Sequence, residues 1–284
     1  MNPIHKMLNE FGLSSIIDKV ENNSINSVRI KTYCCKEERI KIGDSKLGGF
    51  PDLPNNTDWP KLKETPLSFI AQLKLADFKI HDSENLLPES GILYFFYDNK
   101  EQPWGFNPSD RGSWKVMYYN GEITSLKRTS PPSTLSDEHV FTPCSIKTSP
   151  ETTIPPYGSY VFDELGLSDE ERDQYFELTF SIDEEGEEPI HKLLGYPNPV
   201  QSDMQLECQL VSNGLYCGDE TGFEDPKRKE LEKGATEWRL LLQVDSDDKM
   251  GMMWGDCGRI YYWIKKDDLR NLQFDRTWLI LQCS

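Results

Sequence analysis

Apolar side chains at the start of the chain recur at helical spacing: Ile4, Met7, Leu8 and Phe11, then, one step out of phase after Gly12, Leu13, Ile16, Ile17 and Val20. Asn2 before Pro3, and Ser14 after Gly12, are cap-type residues, so the pattern predicts two short helices or one kinked helix over 3–21. The period then shortens to two. Val28, Ile30 and Thr32 alternate with polar neighbours, as do Ile40 and Ile42, which predicts half-buried strands. Residues 48–66, rich in Gly, Pro and Asn, read as an ordered loop anchored by Phe50 and Trp59.

Two strongly apolar strands are predicted next, at 67–75 and 91–97. The second is apolar on both faces and must be covered on both sides. A strand over 114–119 ends at Asn120-Gly121, a hairpin-type dipeptide. The Ser/Thr/Pro-rich residues 129–158 read as a long connection with a short strand near 140–146. Ser168-Asp169-Glu170-Glu171 is a capping box that opens a helix to about Leu178. Residues 204–211 fit either helix or strand, with Asp203 before them and Asn213-Gly214 after them favouring helix, and Asp225-Pro226 opens another helix that ends at Gly234. Strand patterns return at 237–244, 252–254, 259–264 and 278–283.

The two halves repeat one another. Lys46-Leu47-Gly48-Gly49-Phe50-Pro51 matches Lys192-Leu193-Leu194-Gly195-Tyr196-Pro197, and the strand around Gln72 matches that around Gln243. The segments beginning at Gly91 and Gly258 match, as do Asp110–Trp114 and Asp275–Trp278, all in the same order. The second half carries 25 extra residues between its Gly-x-Pro turn and its Gln. The expected fold is therefore α+β: two related, mainly antiparallel β units with flanking helices and pseudo-twofold internal symmetry. The expected organisation is a helical segment (1–24), a first β-rich half (25–128), a connection with an acidic helix (129–189) and a second β-rich half (190–284), sharing one compact domain.

Composition narrows the function classes. The 284 residues carry 31 Lys+Arg against 48 Asp+Glu, a net charge of −17, which argues against nucleic-acid or anionic-membrane surfaces. The acidity is local, because residues 163–188 hold twelve Asp/Glu and only Arg172. Seven cysteines without a Cys-x-x-Cys, and four dispersed histidines, resemble neither a disulfide framework nor a zinc site. The start of the chain lacks secretory-signal character. A cytoplasmic protein with no metal and no cofactor is the expectation.

The combination of Ser45–Pro54, Trp59-Pro60, Pro66–Leu73, Leu87–Tyr97, His191–Pro197 with Gln201, Met253–Gly258 and Trp278–Gln282 resembles the YwqG-like family of bacterial proteins. The resemblance runs from about residue 25 to the end. It implies a soluble cytosolic α+β protein and brings no established catalytic residues. Members are similar in setting to proteins encoded near bacterial toxin systems, which associates the family with an immunity or interaction role.

Gly49, Pro51, Gly195 and Pro197 read as tight turns, and Gln72 and Gln243 as buried amides that satisfy those turns' backbone groups. The most enzyme-like string is Trp254-Gly255-Asp256, where Asp256 is a candidate acid, base, metal ligand or turn device. His191, as a partner for Asp256, and Gln201 complete a candidate pocket between the halves. No catalytic residue is assigned. The leading expectation is a non-enzymatic binding protein, its sharpest form a toxin-immunity protein. Its acidic surface (Glu170, Glu171, Asp173, Glu184, Glu185, Glu187, Glu188) would meet a basic protein partner. The alternative is a small-molecule-binding protein or hydrolase using the pocket between the halves.

Overall fold

The computed structural model describes residues 3–184 and 188–284. The helical start is as expected: α1 (Pro3–Glu10) and α2 (Ile17–Asn22) are joined through a short 3-10 turn after Gly12. Ten strands follow: β1 (Ile25–Cys34), β2 (Lys46–Leu47), β3 (Ser68–Lys74), β4 (Ile92–Tyr97), β5 (Trp114–Tyr119), β6 (Cys144–Thr153), β7 (His191–Leu193), β8 (Trp238–Asp245), β9 (Arg259–Lys265) and β10 (Trp278–Gln282). They form one antiparallel sheet in the order β10-β9-β8-β7-β1-β6-β2-β3-β4-β5.

The sheet curls until its edges approach, giving an α+β fold with a nearly closed barrel. Trp114 Nε1 on β5 donates to the carbonyl of Thr277 beside β10 at 3.0 Å, and the Trp114 and Trp278 rings sit 4.9 Å apart. Leu281 N–H of β10 donates to the Trp104 carbonyl at 2.9 Å. Barrel closure of this kind hides strand edges that would otherwise be left unpaired.

Periodicity decides which residues fill it. In β4 all six side chains are buried: Leu93, Phe95 and Tyr97 join the largest core, while Ile92, Tyr94 and Phe96 pack with Leu53, Leu67, Phe69 and Leu126. That second layer is held by a ribbon in which Asp52–Pro54 pairs with Leu126–Arg128. Trp59 anchors the preceding loop, its Nε1 donating to Leu67 O at 2.8 Å and its ring meeting Phe96 edge-on. In the second half the helix α5 (Gln205–Ser212) takes the covering role, with Gln209 Oε1 accepting from Trp238 Nε1 at 3.0 Å.

A separate helical layer lies apart from the barrel. Ile4, Leu8, Leu13, Ile16 and Val20 pack on α3 (Tyr160–Glu164) and α4 (Asp169–Glu184) through Phe162, Leu165, Tyr175 and Leu178. The capping box forms, with Glu171 N–H donating to Ser168 Oγ and Ser168 N–H to Glu171 Oε2. The helix it opens runs past Leu178 to Glu184, because Tyr175, Leu178 and Ile182 continue its inner stripe.

Several local expectations are corrected. Ile40 and Ile42 lie outside any strand, in a stretch of bends and turns where Ile42 is exposed. Residues 252–254 contribute one isolated bridge, Asp247 to Met252, instead of a strand. The short strand near 140–146 is the ten-residue β6, central to the sheet and paired with β1 along its whole length. That register places Cys34 opposite Cys144, and the two form a disulfide. Spacing alone gave no sign of it, since 110 residues separate the partners. Among the described residues, no helix is long and apolar enough to cross a membrane.

Candidate functional site

The two Gly-x-Pro turns share one geometry. Lys46 and Lys192 stand opposite Gln72 and Gln243 in the strand registers. Gln72 Oε1 accepts from Asp52 N–H at 2.7 Å and its Nε2 donates to Asp44 O at 2.9 Å. Gln243 Oε1 accepts from Asn198 N–H at 2.9 Å, and its Nε2 donates to Ile190 O at 2.8 Å. Each amide therefore clamps the backbone on both sides of its turn. Tyr94 and Tyr261 add a second clamp, their hydroxyls donating to Asp52 O and Asn198 O.

The turns themselves require glycine. Gly49 and Gly195 have φ of +70° and +75°, and a Cβ on Gly49 would lie 2.1 Å from Glu37 Oε2. Pro51 and Pro197 are buried behind them. The first turn also sits on a buried ion network. Lys46 Nζ contacts Glu37 Oε1 at 2.8 Å and Phe50 O, and Arg128 reaches Asp52 Oδ1 at 2.6 Å and Glu37 Oε1 at 2.7 Å. Burial pushes the Asp52 carboxyl up, but hydrogen bonds from Arg128 and Gln72 and the Lys46 charge outweigh it and hold it below its ordinary value. Burial lowers the Lys46 ammonium despite its Glu37 and Asp52 neighbours. Every charge here has a protein partner.

His191, Gln201, Trp254 and Asp256 differ in burial and in hydrogen-bond partners. His191 is buried on β7, not at a helix end or the surface. Its Nδ1 accepts from Asp245 N–H at 3.1 Å, so the neutral ring carries its proton on Nε2, which lies 3.6 Å from Asp247 Oδ2. The His191 contact, ahead of the backbone N–H of Lys249, holds the Asp247 carboxyl below its ordinary value. The Nδ1 lone pair is engaged by Asp245 N–H, while Nε2 makes no hydrogen bond at its distance from Asp247. Its acidic neighbour is Asp247, not Asp256.

Asp256 is exposed on a turn, and its backbone carbonyl accepts from Ser284 Oγ at 2.9 Å. Gln201, also exposed, donates from Nε2 to Cys283 O at 2.9 Å. Trp254 is fully buried between Tyr97 and Phe141, with ring centroids 5.8 and 5.6 Å away. Among the described residues no group of three His, Cys, Asp or Glu is placed to hold a metal ion.

A cavity of about 280 Å³ lies between the 61–66 hairpin of the first half and residues 134–139 of the connection. Pro66, Ser68, Asn99, Lys100, Ser136 and His139 line it. Asn99 Nδ2 and His139 Nδ1 are 3.0 Å apart, and the buried Ser68 hydroxyl has no hydrogen-bond partner. Pro66 and Ser68 fall in the Pro66–Leu73 motif, but no motif joins them to Asn99, Lys100, Ser136 and His139; strand register and loop packing assemble the set.

The acidic candidates divide by role. Glu171 is committed to its own cap and to Ser15 Oγ, and Glu188 pairs with Lys31 at 2.9 Å. Glu170 and Asp173 are exposed on α4, and Glu184 is its last residue. Glu185 and Glu187 lie outside the described residues. The same helix exposes Phe176 and Phe180, with Tyr157 beside Phe176. The i,i+4 spacing of these phenylalanines, displaced from the Tyr175–Leu178–Ile182 stripe, was the sequence signal for a second apolar face.

No curated protein matches the chain. A family model does match, over residues 45–283, and its extent takes in both Gly-x-Pro turns and nine of the ten strands. The chain belongs to that family, described as a domain of unknown function (DUF1963).

Proposed function

We propose that this chain is a non-enzymatic binding protein that presents the outer face of α4 to a basic protein partner. The observation that carries the reading is the division of that helix. Tyr175 and Leu178 are buried, while Asp169, Glu170, Asp173 and Glu177 are exposed together on the other side. Complementary charge accelerates encounter and disfavours acidic competitors. The resemblance to YwqG-like proteins supports a cytoplasmic setting, and a basic toxin domain is the sharpest form of the partner. Affinity capture from the native cell is expected to return a basic protein whose binding weakens with salt. The combined variant D169N/E170Q/D173N/E177Q is expected to lose most of that binding. Capture of no basic partner, or unchanged binding by the variant, would end the reading.

The pairing of equivalent strands supports a duplicated origin for the fold. In the sheet order, β1 to β5 and β6 to β10 form a palindrome about the β1–β6 pair. β3 and β8 carry register shifts at the same place, Phe69/Ala71 and Leu240/Leu242. On this reading β6 opens the second unit, so the units run 25–119 and 144–282.

A small-molecule role has one supporting observation, the buried and unpartnered Ser68 hydroxyl beside the cavity lined by His139 and Asn99. A buried hydroxyl left unpaired costs about 1–3 kcal/mol, which a hydrogen-bonding ligand would recover. Thermal-shift screening against polar metabolites, repeated with Ser68→Ala, tests it. A hit whose stabilisation is unaffected by that substitution would remove Ser68 from the site.

A further inference from the structure

We infer that Tyr157, Phe176 and Phe180 anchor a docking surface on α4 for a cationic amphipathic segment of a partner protein; the inference rests on the acidic-surface reading above and gives it a specific contact. Phe176 and Phe180 are 48% and 54% exposed, one helical turn apart. Tyr157, 37% exposed, meets Phe176 edge-to-face with ring centroids 5.2 Å apart. Isolated exposed apolar residues are ordinary on a protein surface, but adjoining aromatics are the residue type that concentrates binding energy at interfaces.

The inner stripe of α4 is already satisfied. Tyr175 is buried and donates its hydroxyl to Pro155 O at 2.8 Å, and Leu178 is buried in the helical core. The helix does not need Phe176 or Phe180 to hold its place. Folding leaves about half of each ring open to solvent.

The rim of the patch selects the occupant. α4 carries seven Asp/Glu and one basic residue, Arg172. Arg172 is spent within the layer, bonded to Asp163 at 3.0 Å and lying over the Phe162 ring. Asp169, Glu170, Asp173 and Glu177 are exposed along with the two phenylalanines. A phosphate-bearing membrane or nucleic acid would be repelled, and a second copy of this chain would oppose like charges. The matching surface brings apolar groups to the rings and Lys/Arg to the carboxylates, which is a cationic amphipathic segment.

The test uses the full chain and a synthetic Leu/Lys peptide with leucines at helical spacing, beside a scrambled peptide of the same composition. Fluorescence anisotropy is expected to show the amphipathic peptide binding at least about tenfold more tightly than the scrambled one. Because the two rings are half exposed and lie outside the helical core, F176S/F180S is expected to keep the wild-type circular dichroism and a cooperative thermal transition while losing about tenfold or more in affinity. F176L/F180L is expected to restore much of the binding. If F176S/F180S binds as wild type while D169N/E170Q/D173N/E177Q does not, the anchor is refuted and the acidic reading survives. If neither variant weakens binding, both fall. Light scattering that shows a wild-type dimer, made monomeric by F176S/F180S, would overturn the proposal in favour of a second copy.

Discussion

Phe95 and Tyr262 meet edge-to-face inside the barrel, their ring centroids 5.0 Å apart. Each is the fourth residue after the glycine that opens its matching segment, Gly91 in one half and Gly258 in the other. Trp114 and Trp278, also matching positions, repeat the relationship at 4.9 Å. In a twofold arrangement only residues near the axis can touch their own counterparts. These contacts therefore support the duplicated reading and mark where its axis would leave the barrel. Each such aromatic pair contributes about 0.5–1.5 kcal/mol beyond the area it buries.

Equivalent amides at the two turns lead to matched mutational costs. Gln72→Ala and Gln243→Ala each strand backbone groups that the amide now satisfies, and each is expected to cost about 1–3 kcal/mol in urea unfolding. The cost at Gln72 should be the larger, since its Nε2 also reaches Asp52 Oδ2 at 2.9 Å. The two effects should add in the double variant, as the residues share no partner.

Arg128 holds the buried Asp52 carboxylate and the half-buried Glu37 carboxylate in place. Arg128→Ala leaves Asp52 and Glu37 with Lys46 as their remaining cation, and is expected to destabilise by about 3–5 kcal/mol. Arg128→Lys should recover only part, because one ammonium cannot make the guanidinium's simultaneous contacts with Asp52, Glu37 O and Ile40 O.

A carboxyl on α5 gives stability an opposite pH trend from the usual one. Burial, and then the Asp203 charge, push Glu207 up to about 8 from an ordinary 4.5. Between those values the folded chain holds a proton that the unfolded chain has released, so this group's contribution falls as pH rises through the window. Glu207→Gln is expected to match wild type near pH 4 and to gain steadily above pH 5, by roughly 1–3 kcal/mol at pH 8.5. Urea midpoints across that range check it, and a gain that is the same at every pH would count against it.

The Cys34–Cys144 bond closes a loop of 110 residues. In the chain-entropy account, a loop of about that length gives nearly 5 kcal/mol of stabilisation, so reduction should lower the urea midpoint markedly. Thiol titration of the unfolded chain should count five free cysteines before reduction and seven after. Trapping thiols in intact cells would also test the cytoplasmic setting, where stable disulfides are uncommon.

By itself, the sequence determined the elements and the turns of this protein. Short apolar runs marked the strands around Gln72, Phe95, Gln243 and Tyr262, and glycine and proline fixed the turns at 48–51 and 194–197, because these are local consequences of composition and backbone freedom. The capping box located the start of α4 for the same reason. Only the tertiary structure decided what those elements face. Strand register set Cys34 opposite Cys144 and His191 beside Asp247, and curling of the sheet brought Trp114 to Trp278. Such pairings join residues far apart in the chain, and no local pattern encodes them. The acidic segment shows both levels at once. Its charge was readable residue by residue, whereas the exposure of Phe176 and Phe180 depended on which face α4 turned toward α1, α2 and α3.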